Sequence, residues 1–333
     1  MSSSKKYLFI LNSKLLSNNL QREKILADIN GFFKVAGEKN CTLHISTYPR
    51  SAIGFIRSFA KNLPNETTLR VYAVGDEGIM FDCLNGVMGL EKAELAAVPY
   101  GRTDNFVRGF GKDKIARFRD IEKRQFPAPV IPMDVIRCGA NYALSSCVIG
   151  TEAYAARFSM QVYQNLEKDK FSRKLACSCL NFLFYFWGWF AAILKKKLQH
   201  QKYSVNIDGE AYNGTYQNII VLNGKYYGSG MFAKKSTMPN DGLLDIFLEK
   251  SQGFFLTLKV LVFNITGRCD QLPQVFTFKR GRTIHVSSDE PLHISLDGEP
   301  FFDSKFSMEV LPGALQFVDA SVDDVFVKGD NNK

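Results

Sequence analysis

The sequence predicts an α/β N-terminal domain, with a parallel sheet and helices on both faces, followed by a mainly antiparallel β-sandwich C-terminal domain. Three observations carry this. The chain has 333 residues, more than one average domain. Up to about residue 125, short apolar runs alternate with segments of helical period, the order that builds parallel sheets. Pro127, Pro129 and Pro132 then mark a boundary, beyond which short strand-type runs separated by turn residues dominate. The expected domains are 1–131 and 132–315, the second with a helical apolar insert near 172–198. The tail 316–333 is expected to return to the first domain.

In order, residues 7–11 read as a buried strand ending at Asn12-Ser13-Lys14, and 20–35 as a helix with Arg22, Glu23, Lys24 and Asp28 outside. A strand at 41–46 and a helix at 50–62 follow. The run 69–74 is a strand, and Ile79, Met80, Cys83, Leu84, Val87 and Met88 recur at helical spacing after it. Between them lies Gly75-Asp76-Glu77-Gly78. Two glycines in a four-residue turn let the backbone approach a ligand, and amides at a helix N-terminus attract phosphate. Gly-x-x-Gly alone reads equally as an ordinary strand-helix turn. The strand 93–98 closes on a second polar turn, Pro99 to Phe106. In a parallel sheet, ligands gather at such carboxyl ends.

Beyond the prolines, strand-type runs are read at 134–137, 142–149, 203–207, 217–222, 244–249, 274–278, 283–287, 292–296 and 306–310. Asp208-Gly209 and Asp297-Gly298 supply turns. The run 175–194 carries no charge and is flanked by Arg173-Lys174 and Lys195-Lys196-Lys197. Its length is about the ~20 residues needed to cross a bilayer. Crossing would split one sandwich across a membrane, so two readings stand: an interfacial helix, for which the aromatic core at 182–190 and basic ends are suited, or a helix buried in the domain.

Composition narrows the partners. With 46% hydrophobic and 23% charged residues the chain is globular, and its net charge of +9 favours acidic partners such as nucleotide phosphates or anionic lipid. Nucleic acid binding is not expected, because no aromatic-basic recognition motif is present. Seven cysteines without paired spacing, apart from Cys177-x-Cys179 inside the apolar run, argue against a disulfide framework or zinc site and for a reducing compartment. The apolar run at 7–11 is too short for a cleavable signal. A cytoplasmic protein, peripheral at the inner membrane face through 175–197, is the expectation.

Four later stretches matter together. They are the glycine-rich connection 222–231, Met-Pro-Asn-Asp-Gly-Leu-Leu-Asp at 238–245, Ser-Leu-Asp-Gly-Glu-Pro at 295–300 and Leu-Pro-Gly-Ala-Leu at 311–315. In order and spacing they resemble the diacylglycerol kinase catalytic-domain family, the bacterial soluble lipid kinases related to NAD kinases and sphingosine kinases. Asn12-Ser13-Lys14 is similar to the family's opening Asn-Pro-x-Ser-Gly turn, without its proline and glycine. Asn85-Gly86, Phe106-x-Arg108-x-x-Gly111, Asp134 and Gly150 match as well.

The resemblance implies ATP-dependent phosphorylation of a lipid hydroxyl assisted by Mg²⁺. It implies Asp297 as general base, with Glu299 beside it in the Asp-Gly-Glu match. Asn12, Gly75, Asp76, Glu77, Gly78, Gly101, Arg102 and Thr103 would line the nucleotide, and Asp134 would order water around the catalytic Mg²⁺. A second, structural Mg²⁺ would sit on Asp241 with the carbonyls of Met238 and Leu243, oxygen ligands suited to a hard cation.

Two loops depart from the family pattern. Its phosphate loop, Gly-Gly-Asp-Gly-Thr, aligns so that Asp76 takes the second glycine, Glu77 the aspartate and Ile79 the threonine. Two unit charges about 4 Å apart at an effective dielectric of ~20 interact by about 4 kcal/mol, enough to erase millimolar-range binding unless Mg²⁺ intervenes. The second loop, Gly-Thr-x-Asn-Asp-Phe in the family, is here Gly101-Arg102-Thr103-Asp104-Asn105-Phe106. The alternative is therefore a catalytically weakened homologue that binds lipid or nucleotide without turnover.

Overall fold

The computed structural model describes residues 4–101, 104–167, 187–188, 190–192, 200–228, 230–231, 234, 236–252, 256, 259–260, 263 and 266–321. They form two compact units. One runs up to Val135 and includes the chain from Pro312 onward; the other is Ile136–Leu311.

The first unit contains β1 (Lys5–Asn12), α1 (Asn19–Ala36), β2 (Cys41–Ser46), α2 (Ser51–Lys61), β3 (Thr68–Gly75), α3 (Glu77–Val87), β4 (Ala93–Pro99), α4 (Asn105–Arg108) and α5 (Ile115–Arg119). The strands are parallel in the order β4-β3-β1-β2. β1 is central, which is why both of its faces are apolar: Leu8, Phe9, Ile10 and Leu11 are all fully buried. Tyr7, Phe9 and Leu11 pack on Ile25, Ile29 and Phe32, which α1 presents at helical spacing. Phe9 stacks on Tyr72 with ring centroids 4.4 Å apart, and Phe32 meets both rings edge-on. Asn18 starts α1 by accepting the Gln21 amide on its side chain.

β5 (Val130–Cys138) leads into the second unit, which holds β6 (Asn141–Ala143), β7 (Ser146–Gly150), α6 (Thr151–Glu167), β8 (Gln201–Ile207), β9 (Glu210–Ala211), β10 (Gly214–Leu222), β11 (Leu244–Lys250), β12 (Phe276–Gly281), β13 (Thr283–Leu296) and β14 (Glu299–Val318). Its strand pairs are antiparallel, in the order β12-β11-β10-β7-β13-β14. β8 also joins β10 to β13, so β7 and β8 bridge the same two strands at different heights. Val148, Ile220, Leu222 and Phe247 form an apolar cluster with Ala155 of α6. β14 ends in the first unit, where Gln316 and Phe317 pair in parallel with Glu94 and Leu95 of β4.

The helices at 20–35 and 50–62 and the strand at 93–98 agree with α1, α2 and β4 to within one residue at each end. The predicted strand 142–149 divides into β6 and β7 because the Leu144, Ser145 and Ser146 amides are turned onto Asp297. The separate runs 283–287 and 292–296 are one strand, β13, with a register shift between Ser287 and Leu292. The apolar run 175–194 lies almost wholly outside the described residues. Among the described residues no helix is long and apolar enough to cross a membrane.

Gly150 joins β7 to α6 with φ 117°, and a Cβ built there would stand 2.2 Å from the Gln217 carbonyl oxygen. Neither the backbone angle nor the neighbouring strand can accommodate a methyl group. Gly150→Ala is expected to lower the unfolding free energy by roughly 3 kcal/mol or more in urea titrations. Gly139→Ala, at φ 59° with nothing within 4 Å of its Cβ, should cost only about 1–2 kcal/mol.

Candidate functional site

The carboxyl ends of β1, β3 and β4 converge. Sequence spacing predicts a four-residue turn at 75–78, but β3 passes into α3 through Asp76 alone, and Glu77 and Gly78 already lie in the first helical turn. Gly75 has φ 158°, and a Cβ on it would come within 3.0 Å of the Asn12 Cβ. Asp76 explains the short passage: its Oδ1 accepts the Ile79 amide at 3.2 Å, capping α3, and the Asn12 Nδ2–H at 3.1 Å. Asn12 in turn accepts the Lys14 amide at 3.0 Å.

The second loop leans on the first. Glu77 Oε1 accepts the Asn105 amide at 2.8 Å and so caps α4 from another element. The Gly101 amide donates to Asp104 Oδ1 at 2.9 Å, and a Cβ on Gly101 would stand 3.1 Å from the Asp76 Cα. Asn12, Gly75, Asp76, Glu77, Gly78 and Gly101 are thus brought together, whereas Arg102 and Thr103 lie outside the described residues. Asp104, not singled out as a ligand from sequence, belongs to this cluster. It is buried with φ 47°. Burial pushes its carboxyl up to about 6, while the Gly101 amide and Arg119, 3.8 Å away, pull it down. The helix terminus is donor-rich, but its first partner is the protein's own carboxylate.

Asp134 lies on β5, buried, and its Oδ1 accepts the Gly313 amide at 2.8 Å, tying β5 to the Leu-Pro-Gly-Ala-Leu stretch. Asp297 and Gly298, with φ 47° and 91°, form the turn between β13 and β14, and Glu299 opens β14. The Asp297 carboxylate accepts three amides: Leu144 at 2.6 Å on Oδ2, and Ser145 and Ser146 both at 2.9 Å on Oδ1. Burial pushes this carboxyl above its usual range, and the three amides oppose the shift. Met238, Asp241 and Leu243 share one turn before β11. Asp241 Oδ1 accepts the Leu243 amide at 3.1 Å, and its Oδ2 is paired with Arg280. Among the described residues no group of three or more His, Cys, Asp or Glu side chains is placed to hold a metal ion.

A third polar cluster escaped the sequence reading, because its members come from α6, β10 and β11 with no motif spacing. Asn218 Oδ1 accepts the Thr151 hydroxyl at 3.0 Å and the Glu152 amide at 2.9 Å, capping α6 from β10. Asn218 Nδ2 donates to Glu249 Oε2 at 2.7 Å, and Gln252 Nε2 donates to Glu249 Oε1 at 3.0 Å. Glu152 and Glu249 are both buried. Burial pushes Glu249 up to about 7 and Glu152 well above the carboxylate range, with Glu249 adding to the latter. Burial holds an acid pair that cannot carry two charges at neutral pH.

These two domains have known counterparts. Residues 6–137 match the diacylglycerol kinase catalytic domain, and residues 178–319 match the YegS C-terminal NAD kinase beta sandwich-like domain. The chain thus carries a diacylglycerol kinase catalytic-domain match followed by a match to the YegS-type β-sandwich-like domain. A Shewanella frigidimarina protein named "Probable lipid kinase YegS-like" is 27% identical over 256 residues, 75% of this chain and 76% of the relative. A solved diacylglycerol kinase from Bacillus anthracis str. Sterne is 19% identical, with a TM-score of 0.63 over 96% of this chain and 98% of that one. A second structure from that strain is 20% identical with a TM-score of 0.69 over 96% of each chain. At these identities the structural matches establish the fold.

The acid pair makes a testable pH dependence. The folded pKa of Glu249, about 7, lies above the ~4.3 of an unfolded glutamate, so the folded state holds the extra proton between those values. Stability is therefore expected to fall as pH rises from about 4.5 to 7, Glu249 contributing a slope of up to about 1.4 kcal/mol per pH unit and Glu152, raised further by its own burial, adding to it. Urea unfolding at pH 5, 6, 7 and 8 reads this, and Glu249→Gln should reduce the slope without abolishing it.

Proposed function

We propose that this protein transfers the terminal phosphoryl group of ATP to a lipid hydroxyl. The observation that carries the reading is the α3 N-terminus, set at the carboxyl ends of parallel strands within a diacylglycerol kinase catalytic domain. Tyr7, Phe9 and Leu11 face α1 while Leu8 and Ile10 on the opposite side are equally buried. We therefore read a parallel sheet with helices on both faces, α2 and α3 forming the second layer.

In this reading ATP enters as its Mg²⁺ complex, and the metal offsets phosphate charge. Asn12, Gly75, Asp76, Glu77, Gly78, Gly101, Arg102 and Thr103 would line the nucleotide, and Asp134 would order water around the Mg²⁺. The lipid oxygen bonds to the γ-phosphorus as the bond to the ADP oxygen breaks, and the hydroxyl proton passes to Asp297, with Glu299 beside it. Of the roughly four acceptor positions on the Asp297 carboxylate, the three amides take three. The remaining lone pair, on Oδ2, receives the proton. The +9 charge and the run 175–197 suit an anionic membrane surface at the cytoplasmic face.

Purified protein with radiolabelled ATP, Mg²⁺ and a panel of lipid alcohols in anionic vesicles tests the reading. Phosphorylated lipid is expected, and Asp297→Asn should lower the rate by about 10²–10⁴-fold. Full activity in Asp297→Asn would remove it from the role of base.

One observation favours the weakened-homologue reading: the Asp76 carboxylate already satisfies the Ile79 amide where a phosphate would bind. Calorimetric titration separates the two. If the native chain shows no ATP affinity and Asp76→Gly restores it, the chain is a binding or inactive form. Asp104→Asn should tighten ATP several-fold at pH 7.5 and have less effect at pH 5.5, where a group titrating at about 6 is already mostly neutral.

A further inference from the structure

The Met238–Leu243 turn is where family resemblance implies a structural Mg²⁺, and its donor set does not fit one. Both oxygens of Asp241 are engaged by hydrogen-bond donors: the Leu243 amide at 3.1 Å on Oδ1, and Arg280 Nη2 on Oδ2. Arg280 is held there by a second partner. It lies directly across the ladder from Asp245, since β11 and β12 pair Asp245 with Arg280, and its Nε donates to Asp245 Oδ1 at 2.9 Å. Asp245 is buried, its side chain 2% exposed, so it requires a fixed cation. The Thr237 hydroxyl closes its other oxygen at 2.7 Å.

The guanidinium thus spans two carboxylates four residues apart, one on the turn and one on the strand that follows. Its planar fork suits two oxygens at once, which a point charge such as lysine cannot match. A divalent ion on Asp241 would stand beside a positive charge that Asp245 prevents from leaving. It would also need the Asp241 oxygens that the Leu243 amide and Arg280 already use.

We propose that the Arg280 guanidinium is the built-in cation of this turn, so that the loop before β11 is held without a divalent metal. This stands apart from catalysis, and from Mg²⁺ that arrives with a nucleotide.

Thermal unfolding of the full chain without nucleotide, in 5 mM EDTA and in 10 mM MgCl₂, tests it, with Asp241→Asn in parallel. The expected result for the native chain is the same Tm in both buffers, or a difference that Asp241→Asn leaves intact. A higher Tm in MgCl₂ that Asp241→Asn abolishes overturns the proposal. Arg280→Met leaves two carboxylates without their cation, and its Tm in EDTA is expected to fall by several degrees, with part recovered in MgCl₂. Should Arg280→Met fail to fold, Arg280→Lys takes its place. It should unfold below the native chain in EDTA, and a Tm equal to the native value overturns the guanidinium's role.

Discussion

Unpaired amides at the start of a helix must find an acceptor, and in this protein the acceptors are side chains, some adjacent and some carried in from other elements. Asp76 caps α3 from the residue between β3 and the helix, Glu77 caps α4 from inside α3, and Asn218 caps α6 from β10. Each cap fixes where a strand stops and a helix begins, and so fixes the loops that a ligand would meet. The same demand shapes the Asp297 turn, where three successive amides converge on one carboxylate. Acidic residues that look like catalytic spares in the sequence are, in the folded chain, also the anchors of the loops.

How much of this the sequence revealed follows from where each signal is stored. α1 carries its own cap, Asn18, and its own apolar stripe, Ile25, Ile29 and Phe32, so periodicity alone located it. α6 has no such local cap, because its amide is satisfied by Asn218, 66 residues away, and no periodic reading located it. The division at 144–145 is equally distant in origin, being imposed by Asp297. Of the candidate site, the glycine and acid motifs were legible as a resemblance, and Asp76 was legible as a departure. Its role as a helix cap was not, because an aspartate beside a helix start reads the same whether it caps the helix or repels a phosphate.

Charge placement in the two units follows one physical logic with different solutions. Around α3 the Asp76 carboxylate adds to the cost of charging Asp104, and burial leaves Asp104 titrating at about 6. At β11 the opposite solution appears, with Arg280 joining Asp241 and Asp245 across the strand pair. Glu152 and Glu249 have each other as neighbours, and the pair retains a proton at neutral pH. Buried acid is therefore handled by capping amides, by a guanidinium or by protonation, and pH reaches each of these differently.

β14 leaves the second unit and finishes in the first, pairing beside β4 and placing Phe317 among the rings of Phe106, Phe110 and Phe118. The first unit is therefore assembled from both sides of the second. During synthesis the ribosome delivers β1 to β4 early, but the strand that covers β4 emerges only after the entire second unit has been made. Until then the β4 edge and its aromatic cluster stay open to solvent and to other chains. The N-terminal unit, first to be translated, is the last able to close.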